Sequence, residues 1–268
     1  MDNNKTILAG LEPELVGRLV SRRDAIAKAG KIGLAVASAP VALGALASTT
    51  FGQGGALPQV IVDVLNFALL LEENETEFYR TALRSRNLVP RTDRKVFERI
   101  FKNEDAHVKL LRTVLGDKAI PKPTFDHTGG GLYPDVFSNY QTFTGVSQSF
   151  EETGVRAYKG QAGNLMSNDK ILETALQIHS VEARHVSEIR RVRGQKGWIT
   201  DSSRGNLPAS AQPTYDGEDN TTHGGANLAT LNIPGISQAA ITEAFDEPLT
   251  KEQVTAIVRP FIRSGLPA

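Results

Sequence analysis

Four long stretches of the chain repeat apolar residues at intervals of three and four, which is the period of an α-helix and not of a β-strand. They cover residues 59–86, 94–115, 136–160 and 169–193. A short loop containing Pro90 joins the first two, and residues 161–168 join the last two. Residues 116–135, rich in Gly and Pro, separate the two pairs. Because short links imply antiparallel neighbours, the pattern predicts an all-α four-helix bundle of two antiparallel hairpins and one long crossover.

The composition removes several classes of function. The chain has 268 residues, equal numbers of acidic and basic side chains (30 each) and no Cys. A net charge of zero gives no electrostatic footprint for nucleic acid. Without Cys there is no disulfide framework, thiolate zinc site, thiol nucleophile or cysteine-bound iron–sulfur cluster.

The N-terminal segment is set apart from the fold. Arg22 and Arg23 precede an uncharged apolar run over residues 32–47, which ends in the small-x-small sequence Ala45-Leu46-Ala47. This arrangement resembles a bacterial twin-arginine export signal, and the run is short for a membrane span. We expect residues 1–47 to be a signal and the mature protein to have no stable membrane insertion. A buried or amphipathic helix and an uncleaved anchor are the alternatives.

The chain changes character after the fourth helical stretch. Residues 198–232 are rich in Gly, Pro, Ser, Asn and Asp and predict a long surface excursion. Its acidic cluster Asp216, Glu218, Asp219 lacks the spacing of a calcium loop and reads as a solvated polar segment. Order returns over residues 236–245 and 250–263, where Thr250 and Gln253 form a capping-box pair. The expected division is therefore a signal (1–47), a bundle (48–195) and a loop-rich C-terminal extension with short helices (196–268).

Two of the helical stretches carry the motif Glu-x-x-His. Glu104 and His107 lie in the second stretch, and Glu182 and His185 in the fourth. A spacing of three places both side chains on one helical face. In each helix that face interrupts the apolar stripe. Exposed helix pairs would give the same motif once, but two copies on core stripes favour an inward-facing site.

The other two stretches each offer an inward carboxylate. Glu72 continues the apolar face of the first helix, and Glu151 continues that of the third. Glu73 and Glu77 fall on the flanks and are expected in solvent, whereas Glu75 fits either position. Glu152 lies on a polar stripe of the third helix, so Glu151 is preferred. All four inward carboxylates fall near mid-helix, at similar heights in the bundle.

The combined charge of the four inward carboxylates predicts that cations are bound between them. Four carboxylates in a bundle core would carry four negative charges, and burying unpaired carboxylates is prohibitive. No Lys or Arg lies on these inner faces. Two divalent cations balance the charge, and oxygen-rich ligation with one His per metal suits iron or manganese, with iron preferred. The predicted ligands match the ferritin-like di-metal pattern: Glu72, Glu104, His107, Glu151, Glu182 and His185.

Other residues near these faces remain ambiguous. His179 is either a group that orients a ligand or a satisfied core histidine. Tyr79 and Tyr158 are expected to be core aromatics. His127 and His223 lie in Gly-rich loops and carry no functional signal.

Three segments resemble the bacterial ferritin-like domain proteins, including relatives of plant desiccation-related proteins. They are Leu71-Glu72 with Glu75 and Glu77-Phe78-Tyr79, Phe150-Glu151-Glu152-Thr153-Gly154-Val155 with Tyr158, and Val181-Glu182-Ala183-Arg184-His185. The tail sequence Ala244–Leu249 is similar more loosely. The resemblance implies a di-metal bundle, but related sites store iron, oxidise Fe(II), disproportionate peroxide or have no known activity.

The combined hypothesis is an exported, periplasmic or extracellular protein that binds two iron or manganese ions and reacts with O2 or H2O2, as a di-iron oxidoreductase does. Glu72 and Glu151 would be terminal ligands, Glu104 and Glu182 bridging ligands, and each His would bind one metal. A stress- or desiccation-protective bundle without turnover and a manganese catalase are the alternatives. The loops do not resemble those of cage-forming ferritins, so a hollow shell is not expected, and homo-oligomerisation is left open.

Overall fold

The computed structural model describes residues 57–231 and 234–265. Its long helices are α1 (Gln59–Arg84), α2 (Arg94–Leu115), α3 (Tyr140–Gln161) and α4 (Asp169–Val192). α1 packs along α2 and α3 along α4, and residues 116–139 cross between the two hairpins. The predicted all-α bundle is confirmed. The expected export signal lies outside the described residues.

Local chemistry explains where the long helices begin and end. α3 begins at Tyr140 and not at residue 136, because the Asn139 side chain accepts hydrogen bonds from the backbone N–H groups of Gln141 and Thr142. Asn168 caps α4 in the same way through Ile171 N–H. α1 ends at Arg84, two residues before the prediction, because Ser85 takes an extended conformation.

The bundle core consists of two apolar clusters with a polar layer between them. One cluster joins the N-terminal half of α1 to the C-terminal half of α2 and the start of α4, with Leu69, Leu111 and Ile178 among its members. The other lies towards the opposite end and is mostly aromatic, with Phe78, Phe97 and Phe143 fully buried. The buried acidic residues occur in sequence between members of these two clusters, which is why they share one level.

The crossover between the hairpins pairs with the last strand of the described chain. The 3-10 turn Gly116–Lys118 leads into β1 (Thr124–Phe125), which pairs antiparallel with β4 (Ile262–Ser264). A second small ribbon pairs β2 (Thr222–His223) with β3 (Ala226–Asn227). His127, which carried no sequence signal, is buried among Phe78, Phe125, Phe137 and Phe150. The loop assignment was right, but the crossover contributes a core residue.

The C-terminal extension covers one face of α3. It contains the short helices α5 (Gln238–Thr242) and α6 (Lys251–Val258) and 3-10 turns at Ala209–Thr214, Leu228–Leu231 and Arg259–Phe261. A further 3-10 turn, Ala162–Leu165, lies between α3 and α4. The capping box of Thr250 and Gln253 is confirmed. In the described part of the chain, no helix has both the length and the apolar composition needed to cross a membrane.

Part of the expected surface excursion is buried. Arg156 of α3 is 1% exposed and donates hydrogen bonds to the carbonyl oxygens of Thr214, Asp216 and Glu247. Its Nε also lies 2.9 Å from a carboxylate oxygen of Glu218. The acidic cluster is therefore divided: Glu218 is buried in an ion pair, while Asp216 and Asp219 are exposed. The expectation that this cluster is a solvated segment was wrong for Glu218.

Candidate metal centre

The structure brings all six predicted ligands together in the polar layer. Their donor atoms form two groups, each with all atoms within 4.8 Å of one another. The first group is Glu72, Glu104, His107 and Glu182, and the second is Glu104, Glu151, Glu182 and His185. The four carboxylates are at most 1% exposed. Every long helix contributes to this cluster, which we call the acidic centre.

Two of the carboxylates reach both groups. Glu104 Oε2 lies 3.1 Å from His107 Nδ1, and Glu104 Oε1 lies 2.7 Å from His185 Nδ1. Glu182 is placed in the same way, with Oε1 3.3 Å from His107 Nδ1 and Oε2 4.0 Å from His185 Nδ1. Each of these side chains therefore turns one oxygen to each histidine.

The other two carboxylates each serve one group. Glu72 Oε2 lies 3.2 Å from His107 Nδ1, and Glu151 Oε2 lies 3.0 Å from His185 Nδ1. Their remaining oxygens accept hydrogen bonds of 2.5 Å, Glu72 from the Tyr158 hydroxyl and Glu151 from the Tyr79 hydroxyl. The acidic centre thus has two similar halves. An approximate twofold symmetry that interchanges the hairpin α1–α2 with the hairpin α3–α4 relates them.

The hydroxyl partners are residues whose role sequence reasoning missed. Tyr79 and Tyr158 are core aromatics as expected, but each also holds a carboxylate of the acidic centre. The signal was present: Tyr79 follows Glu72 by seven residues, and Tyr158 follows Glu151 by seven. Two helical turns place both members on one face. Burial and the adjacent Glu151 raise the pKa of Tyr79 well above its usual value, and burial and Glu72 do the same for Tyr158.

The carboxylates of the acidic centre are poorly satisfied by protein groups. Neither oxygen of Glu182 has a hydrogen-bond partner, and Glu104 Oε1 approaches His185 without hydrogen-bonding geometry. Burial, followed by the charges of Glu151 and Glu72, raises the pKa of Glu104 to about 7. Burial and the charges of Glu104 and Glu72 raise the pKa of Glu182 well above its usual value. Such buried, unpaired oxygens are costly unless a cation meets them.

The same negative charges also raise the pKa values of the two histidines, whose protonated form is the charged one. Burial alone lowers the pKa of His185, but Glu151 and Glu104 outweigh it and raise that pKa to about 11. Burial opposes the charge of Glu72 at His107 too, and the pKa of His107 still lies well above its usual value. His185 Nε2 faces the side-chain amide of Asn103 at 3.0 Å, so its Nδ1 is the nitrogen turned to the carboxylates. The donor set, four carboxylates and two imidazoles without a thiol, fits hard or borderline divalent cations.

Four further glutamates lie on α1 and α3 near the acidic centre. Glu75, which fitted either position from the sequence, is buried. Glu73, expected in solvent, is buried and lies 2.6 Å from Arg112. Glu77 is partly exposed and lies 2.5 Å from Arg80. Glu152 points away from the acidic centre and pairs with Arg190 beneath the extension. The polar stripe of α3 is therefore buried, and sequence reasoning missed this because the residues that cover it are far away in the chain.

The histidines outside the acidic centre have structural contacts. His179 Nδ1 lies 3.0 Å from the Val155 carbonyl oxygen, which makes it a satisfied histidine and not a neighbour of the ligand set. His223 stacks on Phe245 with ring centroids 3.6 Å apart. Neither belongs to the two groups of candidate ligands.

The comparison with known families agrees with this geometry. Residues 61–195 match the family model described as a ferritin-like domain. The chain belongs to the ferritin-like domain family. The matched residues span α1 to α4 and contain the whole acidic centre. A search of curated proteins returned no match.

Proposed function

We propose that this ferritin-like protein binds two metal ions, with iron preferred over manganese, and that the loaded centre reacts with O2 or H2O2. The observation that supports it best is the placement of Glu104 and Glu182. Each turns its two oxygens to different histidines, which is the arrangement expected of carboxylates shared by two adjacent ions.

The residues around the ligands have definable tasks. Tyr158 and Tyr79 fix the rotamers of Glu72 and Glu151 by donating hydrogen bonds. Asn103 fixes the ring orientation of His185. Mutation of partners of this kind commonly lowers metal affinity about 10- to 100-fold. The two apolar clusters limit the access of water from both ends of the bundle.

The proposed reaction depends on what a bound iron pair supplies, namely electrons for the reduction of O2 or peroxide. The chain contributes the electrostatic conditions. Four ionised carboxylates favour cations of high total charge, and the buried position strengthens every such interaction. Manganese satisfies the same donor set, which is why the metal must be measured.

The deciding experiment starts with elemental analysis of the purified protein. Anaerobic addition of Fe(II) and exposure to air then follow, with oxygen uptake and iron oxidation recorded. About two metal ions per chain with rapid oxygen uptake supports the proposal. Bound metal without turnover would indicate a structural or stress-protective bundle, and oxygen evolution from peroxide by the manganese form would indicate a catalase.

A pair of variants assigns the binding to the acidic centre. Glu104 belongs to both candidate groups, so Glu104→Ala is expected to remove binding of both ions. Glu98→Ala on the same helix changes a partly exposed glutamate that pairs with Arg94 and belongs to neither ligand group, and it serves as the control. Equal metal content in both variants would contradict the proposed site.

We also propose that the protein is exported through residues 1–47. The Arg22-Arg23 pair, the apolar run and Ala45-Leu46-Ala47 support this proposal. Expression of the full chain with Arg22→Lys and Arg23→Lys together should retain the precursor in the cytoplasm, while the unchanged chain is found outside it with a new N-terminus after Ala47. Equal distribution of both forms would refute export by this signal.

A further inference from the structure

An apolar cavity lies on one side of the acidic centre. Residues of all four long helices and of the turn Ala162–Leu165 surround it, and its volume is about 30 Å³. Apart from Tyr158, Gln161 and Thr174, every residue that lines it is aliphatic or a phenylalanine. The Tyr158 hydroxyl donates its hydrogen bond to Glu72. One side chain therefore both lines the cavity and contacts a candidate ligand.

The cavity offers little to a molecule that needs hydrogen bonds. Its polar side chains have partners elsewhere: the Thr174 hydroxyl donates to the Lys170 carbonyl oxygen, and the Gln161 side-chain oxygen accepts from the Asn164 amide. A buried water needs about two to four polar partners, whereas an apolar cavity stays dry and takes up apolar atoms such as xenon. One water-sized molecule needs about 10–15 Å³ of such space. The cavity therefore has room for a diatomic apolar molecule.

The side of the cavity nearest to solvent lies between α2 and α4. Leu110 and Val114 of α2 and Thr174 of α4 line the cavity and are partly exposed. The lining residues of α1 are all buried. A small molecule that passes between α2 and α4 thus reaches the cavity without crossing the packed face of α1.

The two halves of the acidic centre differ in what surrounds their tyrosines. The Tyr79 ring packs against the rings of Phe97 and Phe143, with centroids 6.2 and 6.3 Å apart, and all three residues are fully buried. Tyr158 instead borders the cavity. A molecule in the cavity therefore meets the acidic centre on the side of Glu72.

We propose that O2 enters the acidic centre through this cavity, from the side of Glu72. This inference rests on the proposed function and selects O2 over H2O2 as the oxidant that uses this route. O2 is apolar and loses no hydrogen bonds on leaving water, whereas H2O2 would exchange its hydrogen bonds with water for an apolar lining. The route runs between α2 and α4, across the cavity and past the ring of Tyr158.

Xenon binding tests the cavity without any reaction. Methyl NMR spectra of the metal-free full chain under xenon pressure should show shifts confined to the side chains that line the cavity. Ala175 is a buried lining residue, so Ala175→Leu should fill the space and abolish these shifts. Gln177→Leu adds the same side chain on the exposed side of α4 and should leave them unchanged. Absence of xenon shifts in the unchanged protein would overturn the inference.

The rate of iron oxidation tests the route. Fe(II)-loaded protein is mixed rapidly with O2 or with H2O2. Ala175→Leu should lower the rate with O2 about tenfold and leave metal content and the rate with H2O2 unchanged. Val114→Phe narrows the partly exposed side of the cavity and should act in the same direction, which keeps the test available if Ala175→Leu does not fold. Gln177→Leu should change none of these quantities.

The outcomes separate this inference from the proposed function. Circular dichroism and metal analysis first establish which variants are folded and loaded. Unchanged rates with O2 in those variants, or equal slowing with O2 and H2O2, would overturn the proposed route. Xenon binding without any oxidation of Fe(II) by the unchanged protein would instead refute the proposed function.

Discussion

At the scale of single residues, the acidic centre contains groups that serve metal binding but destabilise the metal-free protein. Glu182 is fully buried, and neither of its oxygens has a hydrogen-bond partner. Without a cation, such a group costs roughly 1–3 kcal/mol, and the neighbouring carboxylates add repulsion. A protein selected only for a stable bundle gains nothing from this residue. The acidic centre is therefore better explained by binding than by packing.

This conflict predicts that a binding residue is a liability when no metal is present. Glu182→Leu should raise the free energy of unfolding of the apoprotein by about 1–3 kcal/mol while it removes metal binding at both positions. Chemical denaturation of metal-free protein measures the first effect and metal titration the second. Glu173→Leu, the same change at an exposed position of α4, should alter neither. A less stable Glu182→Leu apoprotein would contradict this argument.

A second prediction at this scale concerns acid stability. Burial lowers the pKa of His127 to about 4, below its usual value near 6.5. The unfolded chain then takes up a proton at higher pH than the native protein, so His127 stabilises the fold above about pH 6.5 and loses this contribution as the pH falls towards 4. The difference amounts to about 2 kcal/mol between pH 7.5 and pH 5.

The variant His127→Phe tests that assignment. Phenylalanine suits the surrounding aromatic rings and does not titrate, although it loses the contact of His127 Nε2 with the Asn74 carbonyl oxygen. The loss of unfolding free energy between about pH 7.5 and pH 5 should be smaller in the variant than in the unchanged protein by about 2 kcal/mol. An identical pH dependence in both proteins would show that His127 is not the group responsible.

At the scale of helices, local sequence chemistry predicted most of what was found. α2 has the predicted bounds, and α1, α3 and α4 differ by one to four residues at their ends. The inward face was readable because Glu72, Glu104, Glu151 and Glu182 continue apolar stripes. The burial of Glu152 and Arg156 was not readable, because it depends on residues 214–218 and 247, which are distant in the chain. Periodicity identifies a polar stripe but not the segment that will cover it.

The contact between α3 and the extension leads to a prediction at this scale. The Leu249 N–H donates to the Arg156 carbonyl oxygen, and a Cβ at Gly160 would overlap the Leu249 carbonyl oxygen. Gly160→Ala should therefore lower the free energy of unfolding by more than about 1 kcal/mol, although alanine favours helices. At Gly163 a Cβ would meet no atom within 4 Å, so Gly163→Ala is the matched control. Thermal denaturation of both variants provides the measurement, and equal stability would refute the close approach.

At the scale of the whole molecule, the acidic centre lies where both hairpins meet. Each candidate ligand group takes residues from α1 or α3 together with residues from α2 and α4. A bound ion therefore links the two hairpins, which the crossover alone connects in the chain. Because the unfolded chain does not hold these ligands together, binding energy at the acidic centre is added to the stability of the bundle as a unit.

This linkage predicts that metal stabilises the entire fold and not only its surroundings. With free metal at about 100 times the dissociation constant, one site adds about 2.7 kcal/mol to the free energy of unfolding. The midpoint of thermal unfolding should rise with the concentration of Mn(II). The rise should be smaller in His107→Ala, which lacks one ligand, and the same as in the unchanged protein in Glu77→Gln. Circular dichroism follows the helices and the fluorescence of Trp198 follows the extension, so both signals should shift together if the bundle and its extension unfold cooperatively. A shift in the helical signal alone would show that the extension unfolds independently, and no shift in either would contradict metal binding by the native state.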